Sequence, residues 1–379
     1  MTSKPIYLDY AATTPADERV IAKMQSCLSL EGDFGNPASA THEFGLKAKA
    51  LVGEAREQVA RLIQVEPRCL LWTSGATEAN NLAIQGVAKY YQQKGKHIVT
   101  SQSEHNSVLD TCRFLEGQGF EVSYLKPNAD GRIDLKTLDA ALRTDTILVS
   151  IMHVNNETGI IQDIEAIGKI TREREIFFHV DAVQSLGKLP INLKTLAVDL
   201  MSFSAHKIYG PKGIGALYIG NWPRVRLQPL MYGGGQERAL RPGTLPTHQI
   251  VGMGEACHMA AEVMSDEISR IQKLRKQLWQ GIQGLAGVSL NGHPEYRTAG
   301  ILNVCFNQRD RKTLLAQLST LALSTASACN VGTEEPSHIL KAMGLSDEAA
   351  NCSIRFSIGR YTTEQEIEQA IQIIQGAYQ

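Results

Sequence analysis

From about residue 47 to residue 219, segments with apolar residues at helical spacing alternate with short β-branched and apolar runs. A chain that alternates in this way folds into βαβ units, whose strands lie mostly parallel in one sheet with helices covering both faces. Helical periodicity marks Lys47 to Gln64, Thr77 to Gln93, Asn106 to Gln118, Leu135 to Leu142 and Gln162 to Glu173. Strand-like runs are Cys69 to Thr73, His97 to Thr100, Glu121 to Leu125, Thr146 to Met152, Ile176 to Val180, Asp199 to Phe203 and Gly215 to Ile219. After the Gly- and Pro-rich stretch Gln228 to Pro246 the pattern changes. A long helical segment, Gln249 to Gln283, leads into mixed strands and helices that end in Glu364 to Gly376. The chain therefore reads as a large α/β domain over residues 16–260 and a smaller α+β domain made of residues 1–15 and 261–379.

Charge narrows the partners. Lys and Arg number 38 against 39 Asp and Glu, so no global field draws in nucleic acid or an anionic membrane. The longest apolar stretches, such as Ile147 to Val154, fall well short of the roughly 20 residues of a membrane helix. The first residues, Met1 to Pro5, lack the apolar core of a signal peptide. A cytoplasmic protein is expected, with no membrane contact and no direct nucleic-acid binding. Its seven cysteines are never closer than 23 residues apart, which leaves no Cys-x-x-Cys pair and predicts neither a zinc site nor a disulfide scaffold. Scattered cytosolic cysteines are ordinarily buried, inert packing.

In an open parallel sheet, ligands bind beyond the carboxyl ends of the strands. The residues that follow each strand-like run are unusually polar. After Cys69 to Thr73 comes Ser74 to Glu78 (SGATE) opening a helix, where backbone N–H groups and the helix dipole suit a phosphate; Ser74 or Thr77 acting as a plain N-cap would account for the same run. Asp181 and Gln184 follow one apolar run, and Ser204 to Lys207 (SAHK) follow another. A lysine at a strand end beside an imidazole suits Schiff-base chemistry, and a nearby buried Asp suits a protonated ring nitrogen. His153 to Glu157 (HVNNE) and Ser103 to His105 (SEH) complete five clusters on one sheet edge.

Those five segments, Thr73 to Glu78, Ser103 to His105, His153 to Glu157, His179 to Gln184 and Ser202 to Lys207, resemble those of fold-type I pyridoxal-phosphate enzymes of the class V aminotransferase branch. With Tyr7 to Thr14 (YLDYAATT), Phe34 to Ser39 (FGNPAS), Gly233 to Arg238 (GGGQER) and Ser324 to Cys329 (STASAC), the resemblance narrows to cysteine desulfurases of the bacterial housekeeping type, over about Ile6 to Gln372. It implies a Schiff base of Lys207 with pyridoxal phosphate, Asp181 on the ring nitrogen, Gln184 on the ring 3′ oxygen and His105 stacked on the ring as an acid/base group. It further implies that Ala76, Thr77, Ser204 and His206 cradle the phosphate, and that Thr244 reaches the phosphate of the other subunit of a homodimer. Asn156 and Arg355 would bind the substrate carboxylate, Arg355 by a bidentate fork.

Cys329 is expected to be the nucleophile that takes sulfur from L-cysteine as a persulfide, leaving L-alanine, and delivers it to an acceptor protein. It follows a small-residue run and precedes Asn330 to Glu335, which has no helix or strand signal before Pro336. An exposed, mobile loop is the expectation there. A selenocysteine lyase, another class V enzyme and a non-catalytic docking paralogue are the alternatives. This chain departs from the family pattern at Ala205, Pro242, Ala326 and Glu334, the first two of which add constraints beside the phosphate site. Its end soon after Ile374, where the housekeeping enzymes carry a further tail, weighs against general iron–sulfur assembly and leads to the expectation of a dedicated sulfur-donor role such as tRNA thiolation or DNA sulfur modification.

Overall fold

Seven runs of the first part of the chain line up in one sheet in a computed structural model that describes residues 4–221, 225–307, 311–325 and 335–378. The strands of the chain are β1 (Ile6–Tyr7), β2 (Leu70–Thr73), β3 (His97–Ser101), β4 (Glu121–Leu125), β5 (Thr146–Ser150), β6 (Phe177–Asp181), β7 (Leu200–Ser204), β8 (Gly215–Ile219), β9 (Val288–Leu290), β10 (Ile301–Phe306), β11 (Leu321–Ala322), β12 (Ser324–Thr325) and β13 (Ser353–Ser357). The helices are α1 (Glu18–Gln25), α2 (Glu43–Leu62), α3 (Ala76–Tyr91), α4 (Asn106–Glu116), α5 (Leu135–Ala141), α6 (Ile164–Glu173), α7 (Thr247–Ile282), α8 (Arg311–Gln317), α9 (His338–Ala342), α10 (Asp347–Asn351) and α11 (Glu364–Gly376).

The large sheet has the order β2-β8-β7-β6-β5-β3-β4. β8 runs antiparallel to β2 and β7, and every other pair is parallel. Every residue of β2, β3, β5, β6, β7 and β8 is buried, as a sheet covered on both faces requires. α3 and α4 cover one face with Leu82, Val87 and Val108; α2, α6 and α7 cover the other with Val59, Ile167 and Met253.

α7 is 36 residues long and serves two cores. Its first turns (Ile250, Met253) belong to the large sheet's core. Its last turns (Leu274, Leu278, Ile282) pack with the second sheet, β12-β13-β10-β9, whose pairs are all antiparallel. The N-terminal segment joins that second core through Leu8. β1 pairs with β11, Ser357 N–H donates to Leu8 O (2.7 Å) and Tyr10 N–H to Ser357 O (3.2 Å). The chain then crosses to the large sheet, where Thr14 N–H donates to His206 O (2.9 Å).

The mostly parallel α/β sheet is the expected one, with several strand ends moved by one or two residues and one helix added. β2 starts at Leu70 because Pro67 opens a 3-10 turn that takes in Cys69. β6 runs through Asp181, which pairs with Ser202. β7 starts after Asp199, whose carboxylate turns back to accept from Phe178 N–H (2.8 Å) and Arg172 (3.0 Å). α1, unforeseen in the sequence, is capped by Asp17 and buries Val20 against the α2–α7 layer.

Gly215 allows a close approach next to the turn that opens α3. A Cβ there would lie 2.4 Å from Phe203 O and 2.8 Å from Gly75 Cα, both backbone atoms with no room to give. Gly215→Ala is therefore expected to destabilise the fold by about 1–3 kcal/mol, read as a lower midpoint in denaturant unfolding; an unchanged midpoint would contradict this packing.

Candidate active site

β2, β3, β5, β6 and β7 all end at one edge of the sheet, and the segments that follow them line one cleft. Ala76, Thr77, His105, Asn156, Asp181, Gln184, Ser204, His206, Lys207 and Arg355 all contribute to its wall. Thr244 does not: it lines a separate hollow with Asn36, Pro37 and Lys49. Ala326, Cys329 and Glu334 lie outside the described residues.

Lys207 follows β7 in a single 3-10 turn. Its ammonium donates to the carbonyl oxygens of Ala11 and Ala12, each at 2.7 Å, so the N-terminal crossing segment sets where the amine points. Gln184 Nε2 donates to the same Ala11 oxygen (2.9 Å), and Lys188 Nζ donates to Gln184 Oε1 (3.0 Å), which fixes the orientation of the amide. Desolvation, with the charges of Lys207 and Arg355, pushes Lys188 down to about 7.

Asp181 is the last residue of β6 and is buried. Its two oxygens accept from Asn80 Nδ2 (2.8 Å) and Val183 N–H (3.0 Å). Asn80 Nδ2 also donates to Ser107 Oγ (2.9 Å), which bonds His105 Nδ1 (2.9 Å). Ser107 N–H donates to that same Nδ1 (3.1 Å), so Nδ1 is an acceptor and the neutral ring carries its proton on Nε2. Burial lowers the pKa of His105, Asp181 opposes this and Lys207 adds to it. Glu104 is fully buried beside it. One of its oxygens accepts from Met152 N–H (2.8 Å), the other has no partner, and burial pushes its carboxyl well above the usual range.

At the far side of the cleft α3 opens on Gly75 with no side-chain cap bond, so neither Ser74 nor Thr77 closes the helix. Ala76 and Thr77, in its first turn, line the cleft together with Ser204 and His206. Glu78, the acidic residue of that turn, is drawn aside by Arg241 (2.9 Å) and by Ser74 N–H (2.6 Å). Burial, then Lys207, Lys212 and Lys188, push His206 down to about 4, so it meets an anion as a neutral hydrogen-bonding ring. Ala205 buries its methyl in the core of the large sheet rather than in the cleft, so the constraint expected from it beside the phosphate site falls elsewhere.

Arg355, on β13, reaches in from the small sheet. Its Nη1 donates to Asn156 O (2.8 Å) and its Nη2 to Asp9 Oδ1 (2.7 Å). Buried Arg355 Nε and Asn156 Oδ1 have no partner, which leaves a donor and an acceptor for a bound polar group. Asp9, Asn80, Glu104 and Lys188 had no assigned role in the sequence reading. Asp9 lies in the quoted Tyr7 to Thr14 segment and Asn80 in the helix opening, but their partners are 346 and 101 residues away, a link that no local spacing carries.

These groups fit pyridoxal phosphate: an uncapped helix N-terminus for the phosphate, a doubly hydrogen-bonded carboxylate for the ring nitrogen, an imidazole and a held amine. Among the described residues no helix is long and apolar enough to cross a membrane. The family model for aminotransferase class-V matches residues 6–370. A cysteine desulfurase IscS of Pectobacterium carotovorum subsp. carotovorum is 59% identical over 370 residues, spanning 98% of this chain and 92% of that protein. The one from Escherichia coli O139:H28 is 58% identical over the same span. Among solved structures, a NifS-like protein superposes with a TM-score of 0.91 at 37% identity, covering 98% of both chains. A structure described as SspA in complex with cysteine gives 0.84 at 39% identity over 94% of this chain and all of that one. DndA from Streptomyces lividans gives 0.80 at 42% identity over 93% and 99%. By fold, by site and by a match that spans nearly its whole length, this chain belongs to the aminotransferase class-V family.

Proposed function

We propose the following division of labour in this protein, which is a pyridoxal-phosphate-dependent cysteine desulfurase. L-cysteine is its substrate, and the sulfur is passed on to acceptors. The observation that carries the reading is the placement of Lys207 at the end of β7 beside Asp181 at the end of the paired β6, with Arg355 facing both across the cleft. Pyridoxal phosphate, when bound, supplies an electron sink for negative charge developing at the substrate Cα. Lys207 carries the cofactor and then moves the Cα proton. Asp181 would pair with the ring nitrogen, Gln184 would bond the ring 3′ oxygen, and His105 would lie against the ring with its Nε2 proton available as an acid. Ala76, Thr77, Ser204 and His206 hold the phosphate. Asn156 and Arg355 bind the substrate carboxylate, with Arg355 already aligned by Asp9.

Cys329 receives the sulfur. Its Sγ attacks the substrate sulfur, an S–S bond forms, the substrate C–S bond breaks, and its electron pair returns to the carbon skeleton, which takes up a proton. The enzyme thiol and L-cysteine thus become an enzyme persulfide and L-alanine. Five of the six other thiols suit packing: Cys27, Cys69, Cys112, Cys257 and Cys305 are buried, with Cys352 half-buried, and burial pushes Cys112 up to about 12. Free thiols of this kind suit the reducing cytoplasm as the working compartment.

A homodimer is part of the proposal. Thr244 lies outside its own chain's cleft, beside Asn36 and Lys49, and Leu30, Phe34, Phe44 and Tyr232 stand exposed. A second copy that covers such groups would bring Thr244 to the partner's phosphate. The division at about residue 260 into residues 16–260 and residues 1–15 with 261–379 is likewise proposed, supported by the two cores that α7 serves.

Purified Lys207→Ala is expected to lose the yellow chromophore and to form alanine about 10²–10⁴-fold more slowly. Cys329→Ser is expected to stay yellow yet form no protein persulfide; undiminished alanine production by it would contradict the assignment of Cys329. Thr244→Ala is expected to remain a dimer by light scattering but to lose cofactor faster on dialysis, and a monomeric wild type would contradict its role across subunits.

A further inference from the structure

The stretch that bears Cys329 is rooted at both ends on residues beside the cleft. Ser324, five positions before Cys329, lies opposite Arg355 in the β12–β13 pair. Ser337, eight positions after it, is buried and donates through Oγ to Glu157 Oε2 at 2.6 Å. The next residue, His338, bonds Glu104 O through Nε2 (3.0 Å). Glu157 and Glu104 are the chain neighbours of Asn156 and His105, so α9 is tied to the two segments that present a carboxylate ligand and an acid/base group.

Glu157 is itself held on three sides. Its N–H donates to Asn155 Oδ1 (3.0 Å), its carbonyl accepts from Asn303 Nδ2 (3.1 Å), and its side chain is 5% exposed. A carboxyl in such a place costs free energy that packing alone does not repay. Burial pushes it up to about 7 against the pull of Ser337 and Arg355. Retaining an acid there is understandable if its oxygen has a task, and among the described residues the side-chain bond it accepts comes from the root of the stretch that carries the nucleophile.

We propose that Glu157 and Ser337 act as a positioning pair, their buried hydrogen bond fixing the C-terminal root of the Cys329 stretch so that the thiol reaches the substrate sulfur. This rests on the reading of Cys329 given above. Neither residue touches the reacting atoms, so the pair governs sulfur transfer to Cys329 and leaves cofactor and substrate binding alone. A glutamine at position 157 still offers an oxygen to Ser337.

The test is single-turnover transfer of isotopically labelled sulfur from L-cysteine to Cys329 in holoenzyme, followed by mass spectrometry. Ser337→Gly removes the hydroxyl, while glycine remains a tolerable N-cap for α9. Its transfer rate is expected to fall about tenfold or more, since small misplacements of reacting groups cost that much, with the chromophore intact and KM for L-cysteine within about twofold of wild type. Glu157→Ala is expected to match it and Glu157→Gln to restore most of the rate. Undiminished transfer in Ser337→Gly overturns the inference. Loss of chromophore or a raised KM in parallel with the rate also overturns it, by marking the contact as merely structural. Wild type that places no label on Cys329 overturns the reading of Cys329 itself.

Discussion

Two hydrogen bonds, from the Lys207 ammonium to the carbonyl oxygens of Ala11 and Ala12, tie that amine to a segment that belongs by packing to the other core. That segment leaves the small sheet at Ser357, passes under Lys207 and closes on His206 through Thr14. It also carries Asp9, which aligns Arg355. One stretch, Leu8 to Thr14, therefore sets the distance between the amine at the end of β7 and the guanidinium on β13. Shifting it would misplace both ends of the site together, and small misplacements of reacting groups are costly.

Burial and charge together set the electrostatics around the cleft. Lys207, Lys212 and Arg355 line it, and Lys188, which bonds Gln184, is pushed down to about 7 first by its burial and then by the charges of Lys207 and Arg355. The imidazoles of His105, His153 and His206 are all lowered, each mainly by burial. They are neutral rings at physiological pH, suited to stacking and hydrogen bonding rather than to adding more positive charge. Opposite the cations stand Asp181 and Glu78 in the cleft wall and Asp9, which pairs with Arg355.

How much of this could be read from residues alone depended on how local each signal was. Buried β-branched runs announced the strands, and polar clusters after them announced the edge on which the site lies; both signals sit within a few residues. β7 starts only after Asp199, whose carboxylate bonds the neighbouring strand, and β6 runs on to Asp181, which pairs with Ser202; no run of hydrophobicity records either choice. The capping alternative for Ser74 and Thr77 could be resolved only in three dimensions, where Gly75 opens the helix uncapped. Asp9 with Arg355 and Asn80 with Asp181 are contacts between distant parts of the chain. α1 escaped notice because it is only eight residues long and buries a single side chain.

The central claim is that Lys207 is the amine that carries the cofactor. Reduction of the holoenzyme with sodium borohydride, followed by proteolysis and mass spectrometric mapping, tests it directly. A phosphopyridoxyl group on Lys207 alone is the predicted result. Attachment to Lys188, which bonds Gln184, or to Lys212, which lines the same cleft, would contradict it.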